Sequence, residues 1–271
     1  MGEKIRGSLL LIGGAEDKRR DKEILKRFIT LLKERGSSLV ILTSATSEPD
    51  AVGQDYQLIF EELGIDDIKI LNIDSRKEAA SPENAGFLEK AAGIFFTGGD
   101  QLRITSLFGG SAVYKAIQKA YENGAIIAGT SAGASAVSDI MIVGGHGNDS
   151  PSMDSVQLAS GLGLLEEVVV DQHFAQRGRM NRLLMAIAYN PYILGIGIDE
   201  DTAIEITPDA TFVVRGNRTV MVLDGRDISH SNISEMNEKE PLALMGVRVH
   251  ILPANYKYNL KDREIIIPES Y

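Results

Sequence analysis

SAVYKAIQKAYENGAIIAGTSAG, residues 111–133, decides the fold. Its first half spaces apolar residues at helical intervals and closes on Gly124, which predicts a helix over 111–124. Its second half, AIIAGTS (125–131), is an uninterrupted apolar run ending in small residues, as expected of a strand buried on both faces. A helix followed directly by such a strand is one repeat of an α/β unit. The same repeat runs back to the start of the chain. SLLLIGG (8–14), SLVILTSA (38–45), IKILNI (68–73) and GIFFTGG (93–99) read as strands. DKEILKRFITLLKERG (21–36), residues 54–64 and PENAGFLEKA (82–91) read as the helices between them. Apolar strands alternating with amphipathic helices imply a doubly wound, mainly parallel sheet covered on both faces. Ligands of such sheets bind outside the carboxyl ends of the strands. Three glycine loops fall there: Gly13-Gly14, Gly98-Gly99 and Gly129 to Gly133.

The last third reads differently. TAIEI, TFVVRG and RTVMVLDG predict short antiparallel strands, with turns at Pro208-Asp209 and Gly216-Asn217. No Pro/Ser linker sets them apart, so residues 1–271 are read as one domain with a C-terminal antiparallel β extension. The 271 residues contain no cysteine, which excludes disulfides, thiolate metal sites and a cysteine nucleophile. The formal charge of −10 argues against general nucleic-acid binding. The apolar run at Leu9–Ile12 is too short for a signal sequence, and no stretch approaches a membrane span. A soluble cytoplasmic protein is the expectation.

Gly129-Thr130-Ser131-Ala132-Gly133 matches G-x-S-x-G at a strand-to-helix turn. That pattern is either a tight glycine turn or a nucleophile elbow, in which the serine hydroxyl is exposed and the next N–H joins an oxyanion hole. A nucleophilic serine needs a base. Of the four histidines, His230 lies in the polar SHSNIS, His250 in the alternating VRVHIL, and His146 in the glycine loop GGHGND. His173 ends the apolar run EEVVVDQHF beside Asp171 and Gln172, again at a strand end, and is the favoured base. The base needs an orienting carboxylate. ILGIGIDEDTAIEI (193–206) offers Asp199, Glu200 and Asp201 inside an otherwise buried strand. Alternation sends Glu200 to the face opposite the other two, and spacing alone does not choose among them. The order Ser131, His173, acid differs from that of ordinary α/β-hydrolases. Arg177, Arg179 and Arg182 open a helix, where cations oppose the dipole, which favours a role in holding a substrate anion. Asp100 reads as a helix cap, Gly99 as a source of an oxyanion N–H and Gln101 as a polar substrate contact.

IGGAEDK (12–18), TGGDQLR (97–103), AGTSAGA (128–134), VVVDQHF with R-G-R-x-x-R (168–182) and GIGIDEDT (195–202) together resemble the cyanophycinase family of serine peptidases. The resemblance implies a flavodoxin-like core related to class I glutamine amidotransferases and to aspartyl dipeptidase E. It implies Ser131 as nucleophile, His173 as general base and acid, and Glu200 as third member. It implies a pocket lined by Gln101, Asp171, Gln172, Arg177, Arg179 and Arg182, no metal or cofactor, and a homodimer. The implied partner is cyanophycin (multi-L-arginyl-poly-L-aspartate), whose backbone cleavage releases β-Asp-Arg. Gly144 to Asp154 and the region after residue 205 match less clearly. The competing readings are a dipeptidase-E-like aspartyl dipeptidase, a non-catalytic small-anion-binding protein on the same fold, and a nucleotide-binding module. The last lacks G-x-G-x-x-G and the P-loop pattern.

Overall fold

A computed structural model describes residues 7–145 and 150–268. The chain begins with the predicted alternation: β1 (Ser8–Ile12), α1 (Glu23–Lys33), β2 (Leu39–Leu42), α2 (Pro49–Glu62), β3 (Ile68–Leu71), α3 (Arg76–Ala79), α4 (Pro82–Glu89), β4 (Gly93–Phe96), α5 (Gln101–Phe108), α6 (Ala112–Glu122), β5 (Ile126–Thr130) and α7 (Ala132–Ala136). It continues with β6 (Ile140–Gly144), β7 (Gln157–Ser160), β8 (Val168–Gln172), α8 (Met180–Tyr189), β9 (Leu194–Ile198), β10 (Thr202–Ile206), β11 (Thr211–Gly216) and β12 (Val220–Asp224). It ends with β13 (His230–Ser231), β14 (Leu244–Met245), β15 (Arg248–Leu252), β16 (Lys257–Asn259) and β17 (Glu264–Ile266).

Among the described residues, nine strands form one sheet in the order β17-β16-β11-β10-β1-β5-β4-β2-β3. The five from β1 to β3 are mutually parallel; β10, β11, β16 and β17 continue the sheet antiparallel from β1. The apolar strands are apolar because both faces are covered. Along β1, Leu9 and Leu11 enter one core while Leu10 and Ile12 enter the other. The second core is built on α1 and α2, where Phe28 and Phe60 pack around Phe95 of β4. Each such side chain withdrawn from water contributes about 1.5–3 kcal/mol. Helix starts carry their own stops: Asp100 accepts from the N–H of Leu102 and Arg103, and Ser111 from that of Tyr114. The helix expected at 54–64 starts earlier, at Pro49, whose fixed φ suits a first turn. That first turn, Pro49-Asp50-Ala51-Val52, carries no helical apolar period of its own.

Two expectations for the later chain are corrected. GIGIDEDTAIEI is not one strand. It is β9 and β10, which belong to different sheets and are joined by a turn with Asp201 at φ 51°. The antiparallel extension is also divided. TAIEI and TFVVRG extend the large sheet, whereas the strand in RTVMVLDG, β12, lies between β9 and β15 in a four-stranded sheet, β15-β12-β9-β8. Gly216-Asn217 therefore carries the chain from one sheet to the other and closes no hairpin. Periodicity reports how many faces of a strand are buried, not which strand lies beside it. β8 and β9 run parallel, with Gln172 opposite Ile198. Their carboxyl ends meet the carboxyl end of β1 where the two sheets join.

Candidate active site

The site forms on that junction. β1 and β5 are in register with Ile12 opposite Thr130, so the loops after them leave the sheet side by side. Ser131 follows at φ 52°, ψ −114°, and its N–H donates to the carbonyl of Ile12 at 2.9 Å. A non-glycine residue in that conformation is strained and persists only where its surroundings over-determine it. The flanking glycines do this by close contact. A Cβ on Gly129 would lie 2.5 Å from the backbone of Gly133, and one on Gly133 would lie 2.5 Å from the carbonyl oxygen of Phe96. The turn after β4 comes over the serine: a Cβ on Gly98 would sit 3.4 Å from that of Ser131. Gly99, at φ 144°, packs on the carbonyl of Ala45.

His173 arrives from β8 of the other sheet. Its own φ is 46°, and its N–H donates to the carbonyl of Gly13 at 2.8 Å. Nε2 lies 2.9 Å from Ser131 Oγ, and Nδ1 lies 2.7 Å from Glu200 Oε1. A Glu200 carboxylate accepts from Nδ1–H, which leaves Nε2 to accept from the serine hydroxyl. Burial pushes the His173 imidazolium below the ordinary histidine value. The charges of Arg177 and Arg179 add to that, and the hydrogen bond to Glu200 opposes it. The ring is thus a free base at neutral pH, as proton abstraction requires.

The turn between β9 and β10 gives each of its three acids a separate task. Asp199 is buried and accepts from the Ala175 N–H at 3.0 Å and the Thr219 hydroxyl at 2.9 Å. Asp201 accepts from the Asp17 N–H at 2.9 Å and the Asn217 side chain at 2.6 Å. Glu200, with a side chain 31 % exposed, turns to His173. Its own N–H donates to Gln176 Oε1 at 2.9 Å. Gln176 lies in the arginine stretch and has no spacing signal of its own that marks it.

The expected pocket residues separate into two layers. Asp171 is 0 % exposed and Arg182 6 %. Arg182 grips Asp171 through both carboxylate oxygens, with Nε at 2.6 Å from Oδ2 and a second short contact from Nη2 to Oδ1. The pair lies behind the site surface rather than on it, because a buried arginine needs its charge matched by a carboxylate. Arg179 is half-buried. It donates to the Gln172 carbonyl at 2.6 Å, to the Gln172 side chain and to Asp171 at 3.2 Å. Burial lowers the Arg179 pKa to about 10, with Asp171 opposing, so it remains a cation at neutral pH. Arg177 is exposed. Gln101 donates to the Ile142 carbonyl at 2.6 Å, tying the start of α5 to β6. Neither His230, exposed on β13, nor His250, against the Tyr258 ring, joins the cluster; His146 lies outside the described residues. Among the described residues, no group of three or more metal-ligating side chains comes together, and no helix is long and apolar enough to cross a membrane.

The chain is similar to known proteins over nearly its whole length. The model of Peptidase family S51 matches residues 9–214. A cyanophycinase of Geminocystis herdmanii (strain PCC 6308) is 40% identical over 265 residues, covering 97% of each chain. Those of Synechococcus elongatus and Trichormus variabilis (strain ATCC 29413 / PCC 7937) are each 39% identical over 96% of this chain, covering 81% and 87% of their own. Among solved structures, a peptidase from an acI-B1 Actinobacterium superposes with a TM-score of 0.64 at 26% identity, covering 82% of this chain and 93% of its own. With a family match across most of the chain and such identity to several relatives, this protein belongs to peptidase family S51.

Proposed function

We propose that this protein is a serine peptidase that cleaves the poly-aspartate backbone of cyanophycin and releases β-Asp-Arg dipeptides. One observation carries the reading: an unbroken hydrogen-bond chain from Ser131 Oγ through His173 to Glu200, with the serine on a strained elbow. The similarity to cyanophycinases supports the substrate. Ser131 attacks a backbone carbonyl, and its proton passes to His173 Nε2. The N–H groups of Gly99 and Ala132 receive the oxyanion. His173 then protonates the leaving amine, and water hydrolyses the acyl-enzyme. Glu200 holds the ring in the reactive tautomer. Arg177 and Arg179 hold substrate carboxylate, with Gln101 and Gln172 as polar contacts, while Asp171 and Arg182 keep Arg179 in place from behind.

The finer fold assignment belongs to the same proposal. β3-β2-β4-β5 follows the 2-1-3-4 part of a flavodoxin-like order, and β1 takes the fifth place. A homodimer is also part of it, supported by exposed apolar residues on the edge strands: Val249 and Ile251 on β15, Ile265 and Ile266 on β17. Sedimentation equilibrium checks that point. The main test incubates the protein and its Ser131→Ala variant with insoluble cyanophycin and with α-Asp dipeptides, and reads soluble products by mass spectrometry. β-Asp-Arg from the wild type alone is expected. Cleavage of the dipeptides without the polymer would move the protein to an aspartyl dipeptidase, and turnover by the variant would remove the serine mechanism.

A further inference from the structure

Glu16 is 5 % exposed and, among the described residues, is in no salt bridge; the Lys18 ammonium lies over the ring of Tyr56, 3.8 Å from its centroid. Its carboxylate is held by hydroxyls instead. Oε2 accepts from Thr130 Oγ1 at 2.7 Å, and Oε1 accepts from the hydroxyl of Tyr56 on α2. Both donors are themselves buried. A carboxylate withdrawn from water without a salt bridge is costly, so its retention calls for a cause. Thr130 is the residue before Ser131, at the point where the chain must leave an extended strand for the strained elbow.

The same short loop makes three further attachments. Gly13 receives the N–H of His173 at 2.8 Å. Gly14 receives the N–H of Asp201, next to Glu200, at 2.9 Å. Gly14 also packs so closely on the imidazole that a Cβ there would lie 2.4 Å from Cε1. Gly13, Gly14 and Glu16 therefore touch, in turn, His173, the neighbour of Glu200 and the neighbour of Ser131. Ser131 comes from one sheet and His173 from the other; the loop holds the His173 backbone through Gly13 and the Thr130 side chain through Glu16.

Resting on the reading of Ser131 as nucleophile, we propose that Gly13 to Glu16 is the device that registers the two halves of the site. Within it Glu16 is a positioning residue that acts through Thr130, with Tyr56 locking the carboxylate from α2. The glycines set where His173 and the β9–β10 turn arrive. Glu16 sets the angle at which β5 delivers the serine.

Three variants separate this from a structural role. Thr130→Val keeps the shape and removes the hydroxyl, Thr130→Ser keeps the hydroxyl, and Tyr56→Phe removes the other donor. For each, kcat and KM on soluble cyanophycin fragments are measured beside the rate at which a fluorophosphonate labels Ser131. The probe reads alignment of the serine without substrate binding. Thr130→Val is expected to lose about tenfold or more in kcat and in labelling, with KM within about twofold, since small misplacements of a reacting group have large effects. Tyr56→Phe should fall between it and the wild type, and Thr130→Ser should recover to within about threefold. Full labelling and kcat in Thr130→Val would overturn the inference, as would equal losses in Thr130→Val and Thr130→Ser. A dead Ser131→Ala beside a fully active Thr130→Val removes the positioning role of Glu16 alone, while an active Ser131→Ala removes that role and the nucleophile together.

Discussion

The Ser131 hydroxyl reaches the site from a turn shaped within five residues. β5 stops, two glycines allow backbone to touch backbone, and the serine is held in a strained conformation by contacts to the adjacent strands β1 and β4. The His173 ring, only 2.9 Å away, arrives in another manner. It stands at the end of a strand of the second sheet, and the Glu200 carboxylate hydrogen-bonded to it comes from a turn that passes between the two sheets. A buried ion pair on α8 and β8 holds that half from behind. The contrast teaches that the placement of the serine depends on local backbone chemistry, and that of the histidine and the carboxylate on how two sheets dock.

Five further experiments can break or sharpen this contrast. The largest effect should come from His173→Ala, which removes the group joining the halves. A fall in kcat of about 10⁴- to 10⁶-fold is expected, with a native circular dichroism spectrum. A loss below a hundredfold would mean that the serine half has another base. Glu200→Gln keeps the shape and takes away the charge that favours the Nδ1 proton. Steady-state kinetics should show about 10²- to 10⁴-fold lower kcat, and an unaltered rate would exclude Glu200 as the orienting acid.

Asp171→Asn tests the support behind the base half. Leaving the buried Arg182 without its counter-charge should lower unfolding free energy by about 3–5 kcal/mol, read as a lower urea midpoint. An unchanged midpoint would show that the pair contributes nothing to holding the second sheet. Gly14→Ala tests the seam itself. At φ 96°, with His173 in the way, the substitution should reduce stability by about 1–3 kcal/mol and slow turnover. Wild-type kcat in that variant would mean the ring does not depend on the loop.

The smallest effect is one of pH. Burial, with help from Arg177 and Arg179, holds the His173 pKa below its unfolded value. The native state therefore binds fewer protons than the unfolded chain. The stability this group contributes is present above the ordinary histidine value near 6.5 and is lost as pH falls below it toward the folded value. The acid limb of kcat/KM should likewise lie below 6.5. Arg177→Gln should move that limb upward, because a positive charge near the ring is gone. The displacement should shrink in high salt. A downward movement would contradict the assigned sign.

Much of this was legible from residues alone, for a physical reason. Burial on both faces writes itself into apolar runs, helical faces into a 3.6-residue period, and close backbone approach into glycine. β1 to β5, α1, α4 and α6, the glycine loops and the elbow at Ser131 all follow from such local rules. His173 stood out among the four histidines because a polar cluster ended a buried run. The pairing of strands was not readable, since alternation is the same whichever neighbour a strand takes. That is why β9 and β10 read as one strand, and why β12 read as a companion of β11. The same limit applied to the three acids of Asp199 to Asp201. Strand alternation sorted them by face, whereas a turn between sheets gave each a different partner. The resemblance put Asp171 and Arg182 in the pocket, and neither a motif nor a charge in a sequence carries depth. Gln176, Glu16, Thr130 and Tyr56 carried no periodic or spacing signal, as each acts on a residue distant in sequence or on the backbone. The sequence by itself determined the layers, the strand ends and the serine turn. Spacing left the acid open and the resemblance implied Glu200; the tertiary structure brings that carboxylate to the histidine, because hydrogen bonding and charge act across distances that the order of residues does not encode.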